Sequence, residues 1–238
     1  MKLGIAFSGG KDSLACVELA NEAGWLADAT VIWINTGKNY AEVLETVRKV
    51  RSKCPKFLEI RTDRDGQNAE HGIPSEVVPV DWTTFGATAV GEREVKVQSY
   101  FQCCAENISL PLMQACKDHG ITHLVRGQRN QEGHKSPARN GDVVDGVTFL
   151  QPIENWSTTE VLNYLRRRMG ELPEHFRLNH SSMDCYDCTA FSDESDRLEY
   201  AANRYPTEHK IFIQRRDKLR KALTESLKIM GAQVSWKG

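Results

Sequence analysis

The chain has 238 residues, of which 40% are hydrophobic, and its mean hydropathy is −0.49. A chain of this kind can bury a substantial core in one large domain, or in a main domain with a smaller appendage. Its 31 basic and 32 acidic residues leave a formal net charge of −1. No global field would steer it to nucleic acid, and a polyanion site would have to be a local patch.

The N-terminal residues MKLGIAF lack a secretory signal, and no apolar run approaches the roughly 20 residues that cross a bilayer. We therefore expect a cytoplasmic protein with no membrane partner. In a reducing compartment, clustered cysteines hold metal or perform chemistry more often than they form disulfides.

Short apolar runs alternate with helical patterns along the chain. The runs that predict buried strands are residues 2–7, 30–35, 57–61 and 123–126, and the patterns that predict helices are residues 11–23, 40–51 and 108–119. This alternation predicts an α/β fold with a doubly wound parallel sheet. Residues 63–98 suggest loop with short pieces of structure. Residues 127–146 form a polar, irregular segment of a kind that is usually functional or disordered.

The C-terminal part is predicted to be helical. Ser157 and Glu160 have the spacing of a capping box, which opens a helix over residues 161–169. We place a domain boundary between residues 171 and 172. Residues 1–171 would then form the nucleotide-binding domain, and residues 172–238 a small cysteine-containing appendage with a charged helix over about residues 207–230.

The string Ser8-Gly9-Gly10-Lys11-Asp12-Ser13 follows the first predicted strand and opens a helix. Two glycines let backbone N–H groups approach phosphate oxygens, and a helix N-terminus attracts the same anion. Lys11 adds a positive charge, the serines add hydroxyl donors, and Asp12 can hold Mg²⁺. The alternative is a purely structural turn. The spacing matches neither the Walker A loop nor the dinucleotide fingerprint.

Two arginines, Arg126 and Arg129, follow the strand predicted at residues 123–126. Ligands of open α/β sheets bind at the carboxyl ends of strands, and the planar guanidinium group suits phosphate or sulfate oxygens. The alternative is a solvated basic loop.

The loop string SGGKDS resembles the PP-loop of the N-type ATP pyrophosphatases, which cleave ATP between its α and β phosphates and adenylate a substrate oxygen. Sulfonucleotide reductases share this PP-loop type of fold with an altered loop. Asn35-Thr36-Gly37 is similar to the family's Asp/Asn-Thr-Gly element beside the adenosine. Arg126-Gly127-Gln128-Arg129 is similar to its Gly-x-Arg element near the phosphates.

This resemblance implies a set of nucleotide-binding residues, with ATP and Mg²⁺ as ligands. The set is Ser8, Gly9, Gly10, Lys11, Asp12, Ser13, Asn35, Thr36, Gly37, Arg126, Gly127 and Arg129. Three of its members, Lys11, Asp12 and Arg129, would also act in catalysis.

Four of the seven cysteines form two close pairs in sequence, Cys103-Cys104 and Cys185-x-x-Cys188. Four thiolates suit a structural zinc ion or an iron–sulfur cluster. The alternatives are disulfides or unconnected structural cysteines. The other three, Cys16, Cys54 and Cys116, are expected to have no role in chemistry.

The cysteine pattern resembles the cluster-binding class of sulfonucleotide reductases. Cys103-Cys104 with Leu110-Pro111-Leu112 is similar to that family's Cys-Cys…Pro-Leu element. Residues 181–189 are similar to its Ser-x-Gly-Cys-x-x-Cys-Thr element, with Asp184 in place of the glycine. The resemblance implies a 4Fe-4S cluster held by Cys103, Cys104, Cys185 and Cys188, and makes zinc less favoured.

Two features depart from the reductases. These enzymes attack sulfur with a cysteine in a C-terminal tail, and a thioredoxin then resolves the product, whereas the printed sequence has no cysteine after Cys188. An intact Lys11 also suits the triphosphate of ATP. We therefore expect an adenylating enzyme that carries a cluster for sulfur transfer, similar to the sulfurtransferase of DNA phosphorothioation.

The expected partners are an adenine nucleotide, an acceptor that is a nucleic acid or a small molecule, and a sulfur donor or thioredoxin-like reductant. A homo-oligomer is compatible with the sequence. One alternative function is an APS or PAPS reductase that uses an external thiol. Another is a non-catalytic nucleotide- or nucleic-acid-binding module with a structural metal site, in which the basic run at residues 215–221 contacts a polyanion.

Overall fold

The structure is a computed structural model that describes residues 1–133, 136–178, 183, 185–190, 195–229, 231 and 235. The first half of the chain contains β1 (Leu3–Phe7), α1 (Lys11–Glu22), β2 (Thr30–Asn35), α2 (Ala41–Lys53), β3 (Phe57–Arg61), α3 (Arg64–His71), β4 (Ile73–Ser75), α4 (Thr84–Val90), β5 (Val97–Ser99), α5 (Tyr100–Cys104) and α6 (Leu110–Asp118). The second half contains β6 (His123–Val125), β7 (Val143–Val144), β8 (Val147–Leu150), α7 (Thr158–Met169), α8 (His175–Leu178), α9 (Ser195–Arg204) and α10 (Pro206–Ile229).

The chain forms two compact units, and each is built from two separate stretches of sequence. The first unit comprises Met1–Thr62 and Ile108–Asp184, and the second comprises Asp63–Asn107 and Cys185–Gly238. The predicted boundary between residues 171 and 172 stays a prediction. Within the described part of the chain, no helix is long and apolar enough to cross a membrane.

The first unit contains a six-stranded sheet with the order β3-β2-β1-β6-β8-β7. All neighbouring strands pair in parallel except β7, which runs antiparallel to β8. Starting from β1 at the centre, β2 and then β3 add to one side of the sheet, and β6 later pairs with the other side of β1. The predicted doubly wound α/β fold is therefore confirmed, and its strand order reverses between β1 and β6, where such sheets bind ligands.

Buried apolar side chains hold this sheet to its helices. Ile32 on β2, Leu124 on β6 and Phe149 on β8 share a core cluster with Cys116 on α6. The predicted capping box at the start of α7 is confirmed. The Ser157 Oγ accepts from the Glu160 N–H at 3.2 Å, and the Glu160 carboxylate accepts from the Ser157 N–H at 2.7 Å.

The second unit contains the two-stranded parallel sheet β4-β5 and the helices α9 and α10. Trp82 and Val97 pack in one core cluster with Leu219 and Ala222 of α10. The C-terminal helices are present as predicted, although residue 230, the predicted end of α10, lies outside the described residues. Residues 63–98 contain more regular structure than expected, because α3 and α4 begin at side-chain caps, Asp63 and Thr83.

Gly127 brings the chain after β6 into close contact with the start of α1. A Cβ atom placed on Gly127 would lie 2.6 Å from the carbonyl carbon of Asp12 and 2.8 Å from the nitrogen of Ser13. Both are backbone atoms of the first helical turn, so they cannot rotate away as a side chain would. This position therefore requires glycine for steric reasons.

Gly127→Ala is expected to destabilise the protein by about 1–3 kcal/mol, the usual range for overpacking a tight site. Gly133→Ala is the matched control, because a Cβ atom there meets nothing within 4 Å. Urea unfolding of the full chain measures both variants. Equal stability of Gly127→Ala and Gly133→Ala would contradict the close approach.

Candidate functional site

The predicted phosphate loop lies between the end of β1 and the start of α1. Gly9 has φ +85°, a left-handed conformation that favours glycine. The N-terminal cap residue of α1 is Gly10, so no side chain of the cap residue binds the free N–H groups of the first helical turn. The Ser13 hydroxyl accepts from the Ser8 N–H at 3.1 Å and donates to the Gly10 carbonyl at 3.0 Å. The two serines therefore fix the shape of a loop at an N-terminus that no side chain caps.

Two buried cations meet the carboxylate of Asp12. Lys11 is 7% exposed, and its Nζ lies 2.8 Å from Asp12 Oδ2. The Nε of Arg129, which is 5% exposed, lies 2.8 Å from Asp12 Oδ1 without hydrogen-bond alignment. The Nη1 of Arg129 donates to the Trp156 carbonyl at 3.3 Å and to Thr158 Oγ1 at 3.2 Å. The structure thus brings together the three residues expected to act in catalysis.

Glu132 is a carboxylate of this site that the sequence patterns did not identify. It lies 3.8 Å from Arg129 Nε. Burial raises the pKa of Glu132, and the negative charge of Asp12 raises it further, against Arg129 and Lys11, which lower it. Glu132 lies three residues after Arg129 in the polar segment of residues 127–146, and this position was the sequence signal that could have indicated a carboxylate of the site.

Arg126 adds a third cation near these two carboxylates. Its Nη1 donates to Ser136 Oγ at 2.9 Å, and its guanidinium lies 5.6 Å from the centroid of the Phe149 ring. Burial lowers the pKa of Arg126, and the negative charge of Glu132 opposes that shift. Lys11, Arg126 and Arg129 therefore outnumber Asp12 and Glu132, which gives this strand edge a local positive charge suited to an anion.

Asn35 ends β2, and Thr36 and Gly37 follow it in a turn. The Asn35 Oδ1 accepts from the Gly37 N–H at 2.9 Å and from Asn39 Nδ2 at 3.2 Å, and Asn35 Nδ2 donates to Glu59 Oε1 at 2.8 Å. The hydrogen bond from Asn35 is the main reason that the pKa of Glu59 is lowered. Both ends of the Asn35 amide therefore help to shape this turn, and the contact of Asn35, Thr36 and Gly37 with a nucleotide stays a prediction.

The four paired cysteines all lie in the second unit. Cys103 and Cys104 end α5, and the Cys188 N–H donates to the Cys185 carbonyl at 3.1 Å. Cys103 and Cys188 are buried, and Cys104 and Cys185 are half-buried. The rest of the predicted motif before Cys185, namely Ser181, Ser182 and Asp184, lies outside the described residues.

Arg64 links three of these cysteines electrostatically. Burial alone would lower the pKa of Arg64, but the negative charges of Cys185, Asp187, Cys103 and Cys188 together raise it. Burial is also the main cause that raises the pKa of Cys188, with a smaller contribution from Cys103. Cys103, Cys185 and Cys188 therefore share one electrostatic neighbourhood.

The residue types of this neighbourhood, thiols beside cationic and amide donors, are those that surround metal–thiolate centres. Four thiols are available, and the Nη2 of the buried Arg64 has no hydrogen-bond partner. The amides of Asn68 and Asn107 donate to Cys103 Sγ at 3.8 Å and 3.7 Å. In the part of the chain that the structure describes, no group of three or more His, Cys, Asp and Glu side chains is arranged to hold one metal ion.

The remaining three cysteines, Cys16, Cys54 and Cys116, are buried. Burial is the main cause that raises the pKa of Cys16, and it raises the pKa of both Cys54 and Cys116 to about 11. They stay protonated at neutral pH, which makes them poor nucleophiles and poor metal ligands. This agrees with their expected lack of chemistry.

Comparisons with known proteins agree with the fold. An adenosine 5'-phosphosulfate reductase from Geobacillus sp. (strain WCH70) is 25% identical over 192 residues, which cover 78% of this chain and 72% of that protein. The phosphoadenylyl-sulfate (PAPS) reductase from Candida auris, solved as a phosphate complex, has a TM-score of 0.52 at 17% identity, covering 78% of this chain and 81% of that one.

A third similar protein is the U34-tRNA thiolase NcsA from Methanococcus maripaludis with its 4Fe-4S cluster. It has a TM-score of 0.44 at 15% identity and covers 92% of this chain and 72% of that one. The model of the phosphoadenosine phosphosulfate reductase domain matches residues 2–191. The chain therefore belongs to the phosphoadenosine phosphosulfate reductase domain family.

Proposed function

We propose that this chain binds ATP with Mg²⁺ on the loop of residues 8–13 and cleaves it to AMP and pyrophosphate by adenylating an acceptor. The observation that carries this proposal is Lys11. Its buried ammonium group lies in the first turn of α1, held by Asp12 at 2.8 Å. A fixed positive charge at a helix N-terminus suits the high negative charge of a triphosphate.

For this reaction the protein must position the acceptor and the nucleotide and neutralise the negative charge of the phosphates. An acceptor oxygen attacks the α-phosphorus, the bond to the bridging oxygen breaks, and pyrophosphate leaves with that electron pair. Lys11, Arg126 and Arg129 would balance the charge on the leaving pyrophosphate, as preorganised cations do in phosphoryl transfer. Asp12 would hold Mg²⁺, which prefers carboxylate and phosphate oxygens, and Glu132 is the carboxylate beside it.

We assign Cys103, Cys104, Cys185 and Cys188 as the ligands of a 4Fe-4S cluster, which when bound would supply an iron–sulfur centre for sulfur transfer. The buried guanidinium of Arg64 supports this assignment, because a positive charge near three of the thiols stabilises their deprotonated, ligating form. A sulfide nucleophile would then attack the acceptor atom that carries the adenylated oxygen. The bond to sulfur forms as the bond to that oxygen breaks, and AMP leaves with the oxygen and the electron pair.

A second candidate function is reduction of a sulfonucleotide to sulfite by an external thiol. The similarity of this chain to an adenosine 5'-phosphosulfate reductase and to a PAPS reductase favours this function. Lys11 and Arg129, the two cations on Asp12, would attract the anionic phosphosulfate group of such a nucleotide. Two cations nevertheless suit the longer, more highly charged phosphate chain of ATP better.

Two assays on the full chain separate these functions. We expect calorimetry to detect binding of α,β-methylene-ATP with Mg²⁺, which cannot be cleaved between its α and β phosphates. We expect no sulfite from adenosine phosphosulfate or its 3'-phosphorylated form in the presence of thioredoxin. Sulfite release would overturn the adenylation proposal. AMP and pyrophosphate formation from ATP, on adding fractionated small molecules or nucleic acids from the host cell, would identify the acceptor.

Lys11→Ala is expected to weaken binding of α,β-methylene-ATP about 10- to 100-fold, since a charged hydrogen bond contributes about 1.5–3 kcal/mol. Lys49→Ala is the matched control, because that side chain is 63% exposed and pairs with Glu45 at 3.4 Å. Calorimetric dissociation constants compare the two. Unchanged binding by Lys11→Ala would contradict the assigned role.

The cluster ligands are tested by anaerobic reconstitution with iron and sulfide. Wild-type protein is expected to turn brown, and Cys103→Ser and Cys188→Ser to stay pale, because each loses one thiolate ligand. Cys54→Ser is the matched control, a buried cysteine outside the set. Iron and sulfide analysis quantifies the result. Colourless wild-type protein with one bound zinc ion would contradict the cluster.

A further inference from the structure

A pocket of about 470 Å³ opens beside α1 in the first unit. Its walls come from α1 and the turn after it, from the last residues of β6 and β8, and from the segment that joins β8 to α7. The volume falls in the range of roughly 300–1,000 Å³ that small-molecule sites occupy. None of the described residues that we expect to bind the nucleotide lines it. The pocket is therefore a candidate site for a different ligand.

Two tryptophans give the pocket aromatic walls. Trp25 follows α1, where its N–H donates to the Ala20 carbonyl at 2.8 Å, and it is 54% exposed. Trp156 is half-buried, and its ring packs edge-on against the Tyr164 ring with 5.3 Å between centroids. Both residues are thus held in place by contacts of their own. Indole faces bind flat rings by stacking, and this stacking tolerates any heteroaromatic ring.

The polar groups of the pocket suit a ring that carries N–H donors. Glu154 is half-buried, and its carboxylate makes no hydrogen bond or ion pair within the residues that the structure describes. Asn140 Oδ1 accepts from the Gln151 N–H at 2.8 Å, so its Nδ2 is the end of the amide that can donate to a ligand. No lysine or arginine of the described chain lines the pocket. The lining therefore disfavours a phosphate chain.

Hydrogen bonds join one wall of this pocket to the segment that carries Arg129. The Asn130 N–H donates to the Glu154 carbonyl at 2.7 Å, and Asn130 Nδ2 donates to Asn155 Oδ1 at 2.9 Å. Arg129 Nη1 itself donates to the Trp156 carbonyl at 3.3 Å. Three pocket residues are thus bonded directly to the segment that supplies a cation of the proposed reaction. An acceptor has to be held next to that segment.

We propose that this pocket holds the acceptor of the adenylation reaction, and that the acceptor presents an amino-bearing heteroaromatic ring, the chemistry of a nucleobase such as cytosine. The two indoles would stack on the ring, and Glu154 would accept from its exocyclic amine, as carboxylates do with cytosine. This inference rests on the proposed function, because only an adenylating enzyme has an acceptor. The ring could belong to a free nucleoside or to an unpaired base of a nucleic acid.

Calorimetry on the full chain tests this pocket, with α,β-methylene-ATP and Mg²⁺ at saturation so that the nucleotide site is filled. The probes are cytidine and a single-stranded oligocytidine, each compared with its uridine counterpart. We expect a cytosine probe to bind at least about tenfold more tightly, because uracil places a carbonyl oxygen where cytosine has the amine. Binding of cytidine identifies a free nucleoside as the source, and binding of the oligonucleotide alone identifies a nucleic acid.

Two variants assign the binding to the pocket. Trp25→Ala is expected to weaken binding of the cytosine probe about 5- to 100-fold, as loss of a stacking partner does. Phe85→Ala is its matched control, since Phe85 is an exposed aromatic residue of the second unit. Glu154→Gln is expected to lose the preference for cytosine, because an amide both donates and accepts. Glu171→Gln changes an exposed glutamate of the first unit and is expected to keep that preference.

Circular dichroism checks that each variant is folded, and Glu154→Gln decides if Trp25→Ala is not. Cytosine probes that do not bind, or that bind wild type and the folded pocket variants alike, overturn the inference. A probe that binds only without α,β-methylene-ATP also overturns it, because the pocket would then belong to the nucleotide.

The two proposals can fail separately. If ATP yields AMP and pyrophosphate with an acceptor that lacks such a ring, the proposed function stands and this inference fails. If the chain binds the cytosine probe but not α,β-methylene-ATP, the proposed function fails and the acceptor role falls with it, while the ring-binding site remains.

Discussion

The contact between the start of α1 and the chain leaving β6 determines the geometry of the first unit's site. Gly127 has no side chain, so its backbone lies against Asp12, and Arg129 can then reach the Asp12 carboxylate at 2.8 Å. The strand order reverses between β1 and β6, which places these two chain segments side by side. A larger residue at position 127 would separate the arginine from the loop.

The same electrostatic arrangement occurs in both units of a chain whose net charge is −1. Asp12 is bound by Lys11 and Arg129 in the first unit, and Asp187 by Arg64 and Arg215 in the second. Each carboxylate orients two cations and neutralises one of them. In the first unit, Glu132 beside Arg129 adds a second carboxylate, and Arg126 adds a third cation.

Much of the fold could be predicted because its signals are local. Strands β2 and β3 begin and end at the predicted residues, since each is a short apolar run, and the capping box at Ser157 is a four-residue pattern. Helix α3 was missed because it is polar nearly throughout. Arg64 and Asp187 are 123 residues apart, so no local pattern could indicate their ion pair. Likewise, no local pattern could indicate the hydrogen bond from Asn35 to Glu59 of β3, because the two residues are 24 positions apart.

The discontinuous second unit has a consequence for biosynthesis. Cys103 and Cys104 belong to its first stretch, while Cys185 and Cys188 belong to its second, with Ile108–Asp184 between them in sequence. A ribosome would release the first thiol pair long before the second pair and Arg215 of α10 emerge. The early pair would have to stay reduced until the second pair had been made. Any centre that needs all four thiols could therefore assemble only after both stretches of the second unit had been synthesised.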